Sequence, residues 1–122
     1  MTNSFDSANF LEIAQNLIDD ENYHEEGRLR TCIGRAYYAA FLEALQRLEA
    51  AGFKIKNVGE IHKDVIERIY EEGFTQTSNK LERLRRLRII ADYKLKEDIS
   101  YPQCKSSINL SEVIIKEIKT FF

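Results

Sequence analysis

Tryptophan is absent, proline occurs once and glycine five times in the 122 residues. All-β folds turn often, and turns draw on Gly and Pro, so this scarcity argues for long helices. There are two cysteines, Cys32 and Cys104, and no CxxC pair. With only two histidines besides, a zinc cage has too few ligands in sight, and the thiols read as reduced. No run approaches the ~18 apolar residues of a membrane span. Met1-Thr2-Asn3-Ser4-Phe5-Asp6 has no basic stretch and no apolar core, so no signal peptide is expected. These absences predict a cytoplasmic protein with no metal, no cofactor and no membrane partner. There is no strongly basic coat either, since 18 basic and 20 acidic residues leave a net charge of −2. That excludes the footprint of a general nucleic-acid binder.

What is present is one domain's worth of chain, expected to fold as a single unit over 1–122, and 43% of it is apolar. The charge is uneven. Residues 1–60 carry 6 basic and 10 acidic side chains, and residues 61–122 carry 12 and 10. An anionic partner should be sought in the second half.

Periodicity and punctuation predict five helices in an all-α, up-and-down bundle of antiparallel neighbours. The first spans about 7–20, the second about 25–51 with Gly52 closing it, and the third runs to about 72, stopped by Gly73. Asn57 and Glu60 read as its capping pair. The fourth spans from 77 or 78 to about 96. Pro102 marks a loop, and the fifth helix starts near Asn109 with Leu110, Ile114, Ile118 and Phe121 on one face.

Two helices carry more than a core stripe. On helix 2, Leu29, Ile33, Ala36, Tyr37, Ala40, Phe41, Ala44 and Leu48 fall in one arc of about 140°. Arg28, Thr31, Arg35 and Tyr38 form a separate ridge, either a solvated face with an Arg35–Tyr38 cation–π contact or a surface that meets a ligand. On helix 4, Leu81, Leu84, Leu87, Ala91 and Leu95 make the apolar arc. Arg88 falls at its edge, where a guanidinium needs a partner, and Asp92 stands one turn on. Ile89, Ile90 and Tyr93 form a second apolar patch, which places the helix centrally or in an oligomer interface. Around them run Lys80, Arg83, Arg85, Arg86 and Arg88, either a solvated basic face or a phosphate or nucleic-acid contact. His62 lies on the apolar arc of helix 3 with Val58, Ile61, Val65 and Ile69, and reads as a satisfied core histidine.

The segment Arg35-Ala36-Tyr37-Tyr38-Ala39, with the flanking 26–41 stretch, resembles the second-helix signature of HEPN domains, the "higher eukaryotes and prokaryotes nucleotide-binding" helical domains. Arg88-Ile89-Ile90-Ala91-Asp92-Tyr93 resembles the R-x-x-A-D-Y segment of the small prokaryotic branch, and Ile61-His62-Lys63 sits where that branch has a His-containing helix start. The resemblance implies a four- to five-helix bundle, commonly a homodimer. It implies a role in toxin–antitoxin or phage-defence modules, often beside a small nucleotidyltransferase. Many such relatives are metal-independent ribonucleases using R-x(4–6)-H on the fourth helix. Arg88 matches that arginine, and Tyr93 stands where the histidine would be.

On that resemblance the candidate catalytic residues are Arg88, Asp92 and Tyr93, and the candidate RNA- or nucleotide-binding residues are Arg35, Tyr38 and Arg85. A phenol titrates near about 10 and is a poor base at neutral pH. Weak or no ribonuclease activity is therefore expected from Tyr93. A protonated phenol can still donate a hydrogen bond to phosphate. The alternative expectation is a non-catalytic dimeric adaptor for a nucleotidyltransferase, with Arg88 and Asp92 as a structural ion pair.

Overall fold

The computed structural model describes residues 5–55 and 58–121. It holds five α-helices: α1 (Ala8–Leu17), α2 (Glu25–Ala50), α3 (Ile61–Glu71), α4 (Thr75–Tyr93) and α5 (Tyr101–Ile118), with a 3-10 turn at Val58–Glu60 before α3. The all-α bundle is as the sequence predicts. Asn57 lies outside the described residues.

The glycine stops work through backbone geometry. Gly52 and Gly73 both adopt φ 95°, the left-handed region that costs a residue without Cβ least. Past each, the chain closes in the same pattern. The Phe53 N–H donates to Leu48 O at 3.0 Å and the Phe74 N–H to Ile69 O at 3.1 Å. These are the six-residue bonds of Schellman motifs, and each sets an aromatic ring beside the helix it ends.

Several boundaries differ from expectation, among them the end of α1, at Leu17 rather than about 20. The fifth helix starts at Tyr101, not near Asn109. Ser100 and Gln103 form a reciprocal capping box, and Pro102 sits in the first turn, where its missing N–H costs nothing. Proline here marks a helix start rather than a loop. That helix ends at Ile118, and the chain turns back to bury Phe121, whose carbonyl accepts from Arg47 Nε at 2.7 Å. The fourth helix starts at Thr75 and stops at Tyr93, so Leu95 lies beyond it, 75% exposed and outside the apolar arc.

α2 is the spine. It packs against α1, α3, α4 and α5. Its first half, with Leu29, Cys32, Ile33 and Ala36, meets Ala14 and Ile18 of α1, Ala91 of α4, and Cys104 and Ile108 of α5. Its second half, with Tyr37, Ala40, Phe41, Ala44 and Leu48, meets Val65 and Ile69 of α3, Leu81 and Leu84 of α4, and Ile114 and Ile118 of α5. The alanines keep the helices close, which is what brings side chains from α3 and α4 onto the α2 aromatics. α4 packs against α2, α3 and α5. That central position accounts for Ile90, which packs on the core, while Ile89 is partly buried and Tyr93 is exposed.

Candidate anion-binding site

The site forms where α2, α3 and α4 meet, around two consecutive tyrosines. Tyr37 points into the core and is fully buried, while Tyr38 is only partly buried. Arg88 of α4 reaches across to this pair. Its Nη2 donates to the Tyr38 hydroxyl at 3.0 Å, and its Nε donates to Asp92 Oδ2 at 2.8 Å. Its guanidinium carbon lies 5.3 Å from the Tyr38 ring centre and 5.5 Å from that of Tyr93. The Arg88 side chain is 14% exposed and the Asp92 side chain 34%. Burial works against the charge on Arg88, but Tyr38, Asp92 and Tyr93 outweigh it and hold the guanidinium more firmly protonated than usual.

Arg35 approaches the same ring. Its guanidinium carbon is 5.3 Å from the Tyr38 ring centre and 4.9 Å from that of Phe10. It has no ion-pair partner among the described residues. Arg85, a turn before Arg88, touches Glu82 only loosely at 3.8 Å. Two guanidiniums thus border one phenol, with a third close by. The one carboxylate bonded to Arg88 is Asp92, held beside α2: a Cβ on Gly34 would stand 3.6 Å from its Oδ1. Charge-assisted bonds from guanidiniums in such a cluster are strong.

The structure brings Arg35, Tyr38, Arg88, Asp92 and Tyr93 together. It separates the rest of the predicted surfaces. Arg28 leaves the helix 2 ridge to cap α1, donating to the carbonyls of Ile18, Asp20 and Tyr23 at 3.0–3.1 Å. Thr31 bonds its own helix at Gly27 O. The basic run divides as well. Lys80 pairs with Glu117 of α5, and Arg86 turns out to Glu82 and solvent. Tyr93 is 65% exposed, with its ring 5.5 Å from the Arg88 guanidinium carbon.

Three residues in or beside the site carry more than their positions suggested. His62 is half-buried and satisfied, as its place on the apolar arc predicts, but its partner is a site neighbour: its Nδ1 lies 2.7 Å from the Tyr37 hydroxyl. Burial first, then the charges of Arg88 and Arg85, hold its imidazole below the usual histidine range. Arg30 of α2 wraps the end of α4 (Nη1 to Ala91 O at 2.8 Å, Nη2 to Glu97 O at 2.6 Å) and bonds Glu26 at 2.8 Å. It thereby fixes the turn that carries Asp92 and Tyr93. Neither role has a local spacing signal, because the partners are distant in sequence. The third is Cys104, which meets Cys32 in the core. The neighbouring Cys32 thiol, with burial, pushes the Cys104 thiol up, and both cysteines are buried and free, Cys32 donating to Ala14 O at 3.5 Å. Neither is placed as a nucleophile.

A family model for the HEPN domain matches residues 8–121, which takes in all five helices. The chain belongs to the HEPN domain family. No match is found among curated proteins. In this HEPN chain the two segments that carried the resemblance meet in space, the Tyr38 hydroxyl of α2 accepting from Arg88 of the Arg88–Tyr93 turn of α4.

Proposed function

We propose that this HEPN protein is the toxin-like component of a prokaryotic toxin–antitoxin or phage-defence module, acting in the cytoplasm as one domain and binding RNA or nucleotide at the Arg88 cluster. The observation that carries the reading is the approach of Arg35 and Arg88 to within 5.3 Å of one tyrosine ring, with no ion-pair partner for Arg35 among the described residues. A guanidinium fork matches two phosphate oxygens, so a phosphodiester can take the Arg88 donors from Asp92 while Arg35 closes from the other helix. The exposed Tyr93 ring beside it offers a base a stacking platform.

The test is binding of a labelled single-stranded RNA followed by fluorescence anisotropy across a salt series. Contacts from Arg35, Arg85 and Arg88 give a slope of log K against log salt of about −2, from ~0.7 per contact on a single strand. A flat salt profile removes the phosphate reading. Tyr93→Ala is expected to weaken binding about tenfold, since stacking contributes about 1–3 kcal/mol per base, while Tyr93→Phe keeps the ring and binds within about twofold. Equal binding by all three proteins would take Tyr93 out of the site.

A second reading, a non-catalytic adaptor for a small nucleotidyltransferase, is favoured by the 2.8 Å Arg88–Asp92 bond, which satisfies Arg88 without a ligand. Both readings include a symmetric homodimer through α2 and α4, for which the partly buried Ile89 and exposed Tyr93 supply apolar surface. Light scattering at micromolar concentration should return twice the 14.3 kDa chain mass. A mass of one chain would remove the dimer from both.

A further inference from the structure

A groove of about 510 Å³ opens between α1 and the start of α2, on residues that the Arg88 cluster does not use. It is lined by Ile13 and Leu17 of α1, Tyr23 from the turn between the helices, and Gly27 and Thr31 of α2. Ile13 and Tyr23 are 47% and 59% exposed, and Leu17 is half-buried. The polar side chains of the groove are bonded to the chain's own backbone. Thr31 Oγ1 donates to Gly27 O at 2.7 Å, and His24 Nδ1 accepts from the Glu26 N–H at 3.4 Å. Arg28 donates to the carbonyls of Ile18, Asp20 and Tyr23. An occupant therefore meets mainly apolar surface.

Gly27 is the second observation. It lies near the start of a 26-residue helix, where glycine is a poorer helix former than alanine. Nothing inside the protein calls for it. Gly52 and Gly73 adopt φ 95° at helix ends, but Gly27 has no positive φ. A Cβ on Gly34 would stand 3.6 Å from Asp92 Oδ1, whereas a Cβ on Gly27 would meet no atom within 4 Å. A glycine that neither a turn nor a neighbour requires thus borders an open apolar groove. There a bare stretch of helix lets an occupant come close to the backbone.

The third observation is charge. From Glu12 to Glu26 the chain has six carboxylates and no Lys or Arg. Glu26 pairs with Arg30, but Glu12, Asp20, Glu21 and Glu25 have no ion-pair partner among the described residues. Glu12 and Asp20 line a smaller adjoining groove that shares Ile13 and Leu17 with the first. The apolar surface is therefore edged by unpaired negative charge.

We propose that the α1–α2 groove docks a basic amphipathic helix of a partner protein. Apolar side chains of that helix enter beside Ile13, Leu17 and Tyr23, its closest approach is over Gly27, and its Lys or Arg side chains meet Glu12 and Asp20. Ile13 and Leu17 stand one helical turn apart, as do Gly27 and Thr31, and that is the repeat at which an amphipathic helix presents its anchors. The carboxylates set the sign of the partner and speed its encounter. An acidic helix with the same apolar spacing meets repulsion instead. The proposal does not depend on the RNA reading of the Arg88 cluster.

The probe is a labelled synthetic peptide of leucine and lysine, with leucine at i, i+3, i+4 and i+7 and lysine elsewhere. Its binding to the purified full chain is followed by anisotropy. One companion has the same composition scrambled, and another has glutamate for every lysine. The leucine–lysine peptide is expected to bind at least ~10-fold more tightly than either, and less tightly as salt rises. In NMR it should move the amides of Ile13, Leu17, Gly27 and Thr31. Gly27→Trp puts a side chain into the groove and should lose at least ~10-fold in affinity at an unchanged melting temperature. Glu12→Lys combined with Asp20→Asn leaves the apolar lining intact and should lose roughly fivefold, as expected for exposed charge contacts. Gly27→Ala should melt no lower than the wild type.

Equal binding of the scrambled or the glutamate peptide overturns the proposal, as does equal binding by Gly27→Trp or no binding of the leucine–lysine peptide at all. A lower melting temperature in Gly27→Ala would show that the fold itself needs the glycine and would remove it as a binding feature. Light scattering in which a wild-type dimer becomes a monomer in Gly27→Trp would make the occupant a second copy of this chain and overturn the basic partner.

Discussion

Replacing Arg88 by glutamine should weaken RNA binding by about two orders of magnitude while lowering stability by only about 1–2 kcal/mol. The two magnitudes follow from different sides of the same side chain. Breaking a fully buried ion pair costs about 3–5 kcal/mol, because a stranded charge is left behind. An exposed pair contributes about 0–1 kcal/mol. Arg88 is 14% exposed, but its partner Asp92 is 34% exposed and can rehydrate once released. The cost therefore falls between the limits, nearer the lower one. Binding loses more. Each hydrogen bond from a charged donor contributes about 1.5–3 kcal/mol, and the fork supplies two. Thermal unfolding beside anisotropy separates the readings. A variant that loses about 3–5 kcal/mol and binds RNA as the wild type does would make Arg88 structural and favour the adaptor.

Arg30→Ala should be the costlier substitution for the fold, at about 2–3 kcal/mol. Its side chain is 13% exposed and donates to the carbonyls of Ala91 and Glu97 at 2.8 and 2.6 Å. These carbonyls lie at and just beyond the end of α4, where helical partners run out. A cation there also meets the negative end of the helix dipole. Alanine leaves the carbonyls partly shielded without donors, and frees Glu26 to solvent. The melting temperature should fall by roughly 10 °C. Arg30→Lys should recover only part of this, because an ammonium cannot fork across two turns of backbone. A melting temperature unchanged in Arg30→Ala would show that α4 ends without this clamp. Since the same turn carries Asp92 and Tyr93, RNA binding is expected to weaken alongside.

Much of this was legible in the sequence, and what was not has a common cause. The α2 stripe from Leu29 to Leu48, the stops at Gly52 and Gly73 and the Arg88–Asp92 pair all depend on neighbours within a turn or two, and periodicity reports such neighbours. The start of α5 was misplaced because Pro102 reads as a breaker unless the Ser100–Gln103 box before it is weighed. Leu95 fitted a helical wheel, but α4 stops at Tyr93, and Arg30, far off in the chain, donates to the carbonyls of Ala91 and Glu97 around that end. Arg28 looked like surface because its carbonyl partners belong to the preceding turn, not to its own helix. His62 meets Tyr37, 25 positions away in the chain, so its wheel position showed the apolar arc and hid the hydrogen bond. The basic run from Lys80 to Arg88 is one stretch of sequence but faces several directions: Arg88 reaches the tyrosines, while Lys80 pairs with Glu117 and Arg86 with Glu82.

The central claim is that the α2–α4 tyrosine–arginine cluster is where the protein meets a polyanion. The most direct measurement is an NMR titration of the isotope-labelled protein with a short single-stranded RNA, followed at backbone amides and arginine side chains. The account predicts that the largest shifts fall on residues 34–38, on His62 and on 85–93, with the Arg35 and Arg88 Nε resonances among them. They should shrink in Arg88→Gln. Saturable shifts confined instead to the groove lined by Arg83, Lys105 and Asn109 between α4 and α5, with the tyrosine cluster unmoved, would contradict it.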